Sequence, residues 1–285
     1  MLAAAVALGL ALVVAGCDSG PPKDEPAGGE ESSAAPEPDV LPKRRAFTVA
    51  TFNVLGASHT SPGGGAAEYY PPARERVAGA LARIRQYRPD ILGLQELQGA
   101  QAAAFRRRLG DRYGYAGNLD NAVMWRRAEF ELVEQSTLSV PYFYDNLREM
   151  PVVVLERKRG GELITVLSVH NPADVRGDAS DNRLEAQRRE RAFVVSERER
   201  GRHVLLVGDL NAEEDAFCAL TEGGAMRAAN GGSHGDAGCE PPSDAGIDWI
   251  LGAGVDFNGY LSDDSTRDDK VSDHPFVVAT VRRLT

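Results

Sequence analysis

Eight side chains in this 285-residue sequence have the types and spacing to do chemistry together: Asn53, Glu96, His170, Asp209, Asn211, Asp248, Asp273 and His274. Each stands at or just beyond the end of an apolar run, in the segments "TFNVLG", "LQEL", "SVHNP", "VGDLNAE", "GIDWIL" and "VSDHP". Carboxylate and amide oxygens are hard donors that suit Mg²⁺, Mn²⁺ or Ca²⁺ and disfavour Zn²⁺, which prefers imidazole and thiolate. Imidazoles beside such a cation suit phosphoryl chemistry, in which charge on the phosphate is neutralised and a base orients attacking water. Any one of these residues alone serves equally well in a turn or a helix cap. Their recurrence at successive strand ends points to one shared site.

The elements that must position them follow from periodicity. "AFTVATFNVLG" is a β-branched, alternating run that ends at Asn53 and Gly56, hence a strand leading into a loop. "ARERVAGALARIRQY" places Val77, Ala80, Leu81 and Ile84 on one helical face and arginines on the other, and Pro89 closes it. "DILGLQEL" is a short buried strand delivering Glu96, followed by a helix from Ala100 to Leu109. "NAVMWRR" and "FELVEQSTLSV" read as strands, and "MPVVVLERK" with "ELITVLSVHNP" as a hairpin around Arg159-Gly160-Gly161. A long polar helix covers "DNRLEAQRRERAFVVSERER"; "HVLLVGDLNAEED" is a buried strand ending at Asp209 and Asn211. A loop holding two cysteines precedes the strands "GIDWILG" and "HPFVVATVRR". Interleaved helices with hairpin-linked strands predict a mixed α/β sandwich rather than a purely parallel sheet. Strand ends gathered at one sheet edge are where α/β proteins place their sites.

Composition bounds the rest. Hydrophobic content of 42% and charged content of 26% are ordinary for a globular chain, so a full core is expected. Residues 1–16, MLAAAVALGLALVVAG, carry no charge and are too short to span a bilayer, which reads as the apolar part of a secretory signal. Val14-Ala15-Gly16-Cys17 resembles a bacterial lipobox, so residues 1–17 are expected to be a signal peptide with Cys17 lipidated. The run lacks a basic n-region, which points to a start further upstream. Residues 18–45 are Pro, Gly, Ser and Glu with little that is apolar, an expected disordered tether before a domain at 46–285. Export, with lipid anchorage at the outer face of the cell membrane or secretion if Cys17 is not acylated, is the expected localisation. In an exported chain the remaining Cys218 and Cys239 read as one disulfide; a Zn²⁺ site is the alternative, without C-x-x-C spacing to support it. The formal charge is −10, of which the tether, with seven acidic and four basic residues, holds −3. An acidic domain has no global field for polyanions, so tight non-specific nucleic-acid binding is not expected.

The order of motifs "TFNVLG", "LQEL", "REMPVV", "SVHNP", "VGDLNAE", "GIDWIL" and "VSDHP" resembles that of the endonuclease/exonuclease/phosphatase family, the deoxyribonuclease I-like fold, from about residue 46 to the C-terminus. The resemblance implies a four-layered α/β sandwich of two mixed β-sheets flanked by helices, cleaving phosphoesters with Mg²⁺. It implies Glu96 as the principal metal ligand, helped by Asn53, Asp273 and Asp209 or Asn211. Asp209 and Asn211 would orient the nucleophile and the scissile phosphate. His274 would accept a proton or stabilise the phosphate, oriented by Asp248, with His170 opposite and Glu149 as the acid paired with that histidine. His59, His203 and His234 have no motif around them and are expected to be solvated or structural. Trp125 and Trp249 are expected in the core, with Trp249 also able to line the cleft.

The expected substrate is a nucleic acid or another phosphodiester, and no protein partner is implied. Val207 and "AGIDWIL" stand where inositol polyphosphate 5-phosphatases carry a tryptophan and a Cys-Asp-Arg signature, against that branch. Abasic-site endonucleases work inside the cell, against an exported chain, and Gly246 replaces an arginine many members keep. An extracytoplasmic nuclease leads and a sphingomyelinase-like phospholipid diesterase follows. "HNPADVRGDASDNR" looks polar, without the apolar insertion expected for bilayer docking, whereas Arg148, Arg176 or Arg183 could meet phosphates. A catalytically inactive surface-binding protein ranks last, because no named position is lost. A serine hydrolase lacks its Gly-x-Ser-x-Gly.

Overall fold

The computed structural model describes residues 46–285; the expected leader, the Cys17 lipidation site and the tether lie outside the described residues. The chain runs β1 (Phe47–Asn53), α1 (Ala73–Tyr87), β2 (Ile91–Gln95), α2 (Gly99–Leu109), β3 (Tyr113–Asn118), β4 (Asn121–Arg126), β5 (Phe130–Pro141), β6 (Leu147–Arg157) and β7 (Leu163–His170). It continues through α3 (Ser180–Glu199), β8 (His203–Asp209), α4 (Glu214–Thr221), β9 (Arg227–Ala228), β10 (Ser233–Gly235), β11 (Gly238–Glu240), β12 (Asp248–Ala253), β13 (Val255–Asp263), α5 (Ser265–Asp268) and β14 (Phe276–Leu284). One six-stranded sheet has the order β13-β14-β1-β2-β4-β3, the other β5-β6-β7-β8-β12-β9. Both mix parallel and antiparallel neighbours.

Alternation explains the layers. In β1, Phe47 and Val49 face the other sheet and meet Val153, Val166 and Leu205 in the central core. Ala50 and Phe52 face outward and pack under Leu81 and Ile84 of α1 and Phe105 of α2. On the far side, Leu167, Val169, Leu206 and Trp249 are covered by Val194 of α3 and Phe217 of α4. Helices, sheet, sheet and helices make four layers, as expected. Both tryptophans are core: Trp125 and Trp249 are buried, and the Trp249 indole donates to the Ala212 carbonyl at 2.9 Å.

A polar tie joins the two sheets. Buried Gln95 accepts from Thr51 Oγ1 (3.2 Å) and donates to Ser168 Oγ (3.0 Å), which itself donates to the Leu94 carbonyl (3.2 Å). Every heteroatom named there is satisfied across the interface, so the sheets are held in one register.

Register then sets the chemistry. Parallel pairing aligns Asn53 with Gln95, just before Glu96, and aligns His170 with Asp209. Antiparallel pairing of β8 with β12 sets Asp248 opposite Asp209. The Cys218–Cys239 disulfide, with Cα atoms 5.6 Å apart, fastens α4 to β11. The cysteine segment is therefore a helix and a small hairpin, not a plain loop. No helix among the described residues is long and apolar enough to cross a membrane.

Candidate active site

The C-terminal ends of β1, β2, β7 and β8, together with the turn before β14, open onto one cleft. Its volume is ≈ 600 Å³, and Glu96, His170, Asp209, Asn211, Asp273 and His274 line it.

On the side of the first sheet, Asn53 is fully buried and its Nδ2 donates to Glu96 Oε1 and to Asp209 Oδ2, both at 3.0 Å. Its Oδ1 accepts from the Leu55 amide, so Asn53 presents an N–H to the two carboxylates. It bridges the two carboxylates. Glu96 sits at φ 55°, a left-handed turn that throws its side chain back over the strand end. Its Oε2 accepts from the Gly56 amide at 2.6 Å. A Cβ on Gly56 would stand 2.7 Å from Gln98 Nε2 and 3.1 Å from Glu96 Oε2, so a larger residue would push on these two side chains. Burial alone would raise the Glu96 carboxyl; hydrogen bonds from His59, Gly56 and Asn53 and the field of His170 outweigh it and hold the group well below the usual carboxylate range.

Two residues pin this loop to the rest of the fold. Arg76 of α1 is buried and spends its guanidinium on the carbonyls of Pro71, Val54, Leu55 and Val271 and on Thr60 Oγ1. Ser272 Oγ donates to the Asn53 carbonyl at 2.7 Å and accepts from the His274 amide at 3.2 Å. The turn carrying Asp273 and His274 is thereby fixed against the end of β1.

On the side of the second sheet, Asp209 is the hub. His170 Nε2 and His274 Nε2 each lie 3.6 Å from Asp209 Oδ2, one on either flank, while Oδ1 accepts from the Asn211 amide at 3.0 Å. Asn211, at φ 48°, donates its Nδ2 to the Asn171 carbonyl. His274 Nδ1 meets Asp248 Oδ2 at 2.8 Å, which fixes the ring and leaves Nε2 facing Asp209. Burial lowers the affinity of His274 for a proton, but Asp248, then Asp209 and Asp273, outweigh it and raise the imidazole to about 10.

The donor set fits a divalent hard cation on the Glu96 side. Glu96, Asp273 and Asp120 are carboxylates lining the same end of the cleft, and all three raise the proton affinity of His59. Asp209, Asp248 and His274 also offer atoms within 4.8 Å of one another, but Asp248 there is committed to the histidine. That cluster holds a proton better than a metal.

This geometry coincides with the sequence comparison: the family model for endonuclease/exonuclease/phosphatase proteins matches residues 50–274. The chain belongs to the endonuclease/exonuclease/phosphatase family. Its members are hydrolases that act on phosphoester bonds. Among solved structures, the human Nocturnin catalytic domain with bound sulfate is 18% identical, with a TM-score of 0.67, covering 84% of this chain and 95% of that one. The mannosyl-6-phosphatase Bt3783 of Bacteroides thetaiotaomicron is 18% identical, with a TM-score of 0.58, covering 82% and 98%. D. rerio TDP2 with a single-strand DNA product is 16% identical, with a TM-score of 0.58, covering 82% and 98%. No curated protein matches the chain.

Within the frame of this family, three expectations need correction. Glu149 does not pair with a histidine: its carboxylate takes Thr137 Oγ1 at 2.5 Å and Ser139 on the neighbouring strand. Adjacent strand residues point to opposite sides, and Arg148 is the one that faces the cleft, against Asp120 and the Tyr142 ring. The buried Nδ1 of His170 accordingly has no hydrogen-bond partner among the described residues. His59 is not an idle residue, because its Nε2 lies 3.2 Å from Glu96 Oε2. Finally, the cleft mouth is not uniformly polar: Tyr144 is 69% exposed, Leu147 60% and Val175 79%. Arg176 stands at that rim, over the rings of Phe143 and Tyr144, whereas Arg183 is tied to Asp174.

Proposed function

We propose that this family member is a divalent-metal-dependent phosphodiester hydrolase, with nucleic acid as its leading substrate and an extracytoplasmic place of action. One observation carries the catalytic part: Asn53 joins Glu96 to Asp209 while two imidazole nitrogens flank Asp209 at equal distance. Glu96 and Asp273 would hold the cation, Mg²⁺ by preference, with Mn²⁺ or Ca²⁺ as alternatives; when bound it supplies charge neutralisation for the phosphate. Asp209 and Asn211 orient the nucleophile, because the Asp209 carboxylate is fixed by two amides and aimed between the histidines. His274 and His170 donate through Nε2 to phosphate oxygens that gain charge in the transition state.

Arg176 in the cleft has no ion pair among the described residues and supplies local positive charge, Arg148 beside it is paired with Asp120, and the aromatic side chains next to both can stack on bases. The exposed Tyr144, Leu147 and Val175 favour a second reading, a sphingomyelinase-like phospholipid diesterase. The secretory leader and lipid anchor at Cys17 rest on the sequence alone. Cleavage of single- and double-stranded DNA, RNA, sphingomyelin and bis-aryl phosphate, each with Mg²⁺ and with chelator, separates these readings. Turnover of every substrate that is indifferent to chelation overturns the proposal; sphingomyelin as the only substrate replaces the nuclease by the second reading.

A further inference from the structure

A second concave surface lies on the opposite face of the first sheet from the central core, along the seam between α1 and α2. It is a groove of ≈ 450 Å³ whose floor includes Val77, Leu81 and Ala104, with Arg74, Arg85, Arg107 and Arg108 along it and no carboxylate in its lining. The two helices together carry seven arginines against a single acidic residue, Glu75, in a chain of formal charge −10. Arg76 and Arg83 are spent internally, on carbonyls and on Asp263 and Asp269. Arg85, Arg107 and Arg108 are exposed and have no ion pair among the described residues. On α3, by contrast, Arg188 and Arg189 pair with Glu185, and Arg191 with Glu222. Three unpaired arginines therefore stand together along one groove that has no carboxylate in its lining. A polar atom at the groove also lacks a partner: Gln101 is 3% exposed, its Nε2 is held by the Leu55 carbonyl, and its buried Oε1 has no hydrogen-bond donor.

We propose that this groove docks the protein on an anionic phospholipid surface, with the arginines meeting phosphate headgroups and the groove taking apolar parts of the lipid. Positive charge on one face of an acidic molecule orients it toward a negative surface, and each arginine near such a surface adds attraction that falls off within a Debye length. A nucleic-acid backbone would satisfy the arginines equally, but it has nothing apolar for Val77, Leu81 and Ala104. A glycerophospholipid has both. The docking is independent of acylation at Cys17 and of the proposed phosphodiesterase activity. Since Gln101 and Arg76 also hold the carbonyl of Leu55 beside the cleft, the groove starts close to the catalytic end of the helices.

Residues 46–285 contain all three cores and are suited to the test. They would be sedimented with vesicles of phosphatidylcholine alone and of phosphatidylcholine with one-third phosphatidylglycerol, at low and high salt. Binding is expected only to the anionic vesicles, weakening with salt. The triple variant Arg85→Glu, Arg107→Glu, Arg108→Glu should lose more than about tenfold in affinity. The same charge change at Arg159, Arg282 and Arg283 should lose much less. The double variant Ala78→Gln, Ala104→Gln, which leaves the charge alone, should weaken binding several-fold while retaining thermal stability. Equal binding to both vesicle types, or full binding by the arginine triple variant, overturns the proposal. So does unchanged binding by the alanine double variant together with displacement by duplex DNA, which would make the face a general polyanion surface.

Discussion

The two sides of the cleft are built on different physical principles. Around Asp209, Asp248 and His274 nearly everything is buried, the histidine ring is fixed by a carboxylate 2.8 Å away, and both aspartates come from strands in register, with His274 brought to them by the turn before β14. Around Glu96 and Asp273 the carboxylates come from turns; Asp273 is exposed and the His59 side chain is half exposed. A proton site needs rigid geometry and exclusion of water, whereas an exchangeable cation needs charge density with an open approach. On the proposed reading, Asp209 and Asp248 of the second sheet preorganise proton and phosphate handling with a histidine from the turn before β14, while the Glu96 side holds a cation site that loads from solvent.

The largest effect should come from deleting the buried side. His274→Ala is expected to lower turnover by about 10²- to 10⁴-fold, without rescue by added metal. Glu96→Gln should cost a comparable amount, part of it recovered at higher Mg²⁺, read by activity against metal concentration on a plasmid substrate. If His274→Ala were rescued by metal and Glu96→Gln were not, the division between the sides would be wrong. Asp248→Asn leaves the imidazole in place but poorly oriented, so its loss should be smaller, on the order of 10- to 100-fold.

Stability against pH sharpens the same contrast in opposite directions. The His274 imidazole rises from its usual 6.5 to about 10, so its contribution is complete below about 6.5 and is lost as pH climbs toward 10. The Glu96 carboxyl is held low, so its contribution is present above the ordinary 4.5 and is lost as pH falls below that value. Melting temperatures measured in chelator should therefore fall on both limbs. His274→Ala should flatten the alkaline limb and Glu96→Gln the acid limb; a variant that flattens the other's limb would refute the assignment.

The smallest effects concern residues at the edges. His59→Ala removes a half-exposed contact and should change turnover by no more than about fivefold. Glu149→Gln, bonded to its neighbouring strand away from the cleft, should shift unfolding by less than about 0.5 kcal/mol and leave turnover unchanged. A hundredfold loss in Glu149→Gln would restore the pairing with His170 that the side-chain positions exclude.

The strands that end on functional residues were legible because their apolar runs are short, continuous and abruptly terminated, as in "HVLLVGD". β3 was hidden by two glycines in "YGYAGN", and β13 by the register shifts that break its alternation. His59 carried no local signal, since its partner lies 37 positions away and only the parallel β1–β2 pairing brings the two loops together. Arg76 was misplaced for a different reason. Helical periodicity assigns arginines to the outer face of α1, but this one is 3% exposed and satisfied by carbonyls that no local pattern reveals. The error over Glu149 came from a single step along β6: in a strand, the choice between Arg148 and Glu149 is a choice of face.

The place of β14 carries a consequence for how the molecule comes into being. β1, the first strand of the first sheet, lies between β2 and β14, with Phe47 opposite Val281. During synthesis the first strand waits with one edge bare until the last strand has left the ribosome. Asp273 and His274 arrive in that same final stretch. Hydrolytic competence is therefore a property of the finished chain only: a product truncated before Phe276 would lack the partner of β1 and present an open, apolar strand edge to its neighbours. Such fragments should be prone to aggregate and unable to cut.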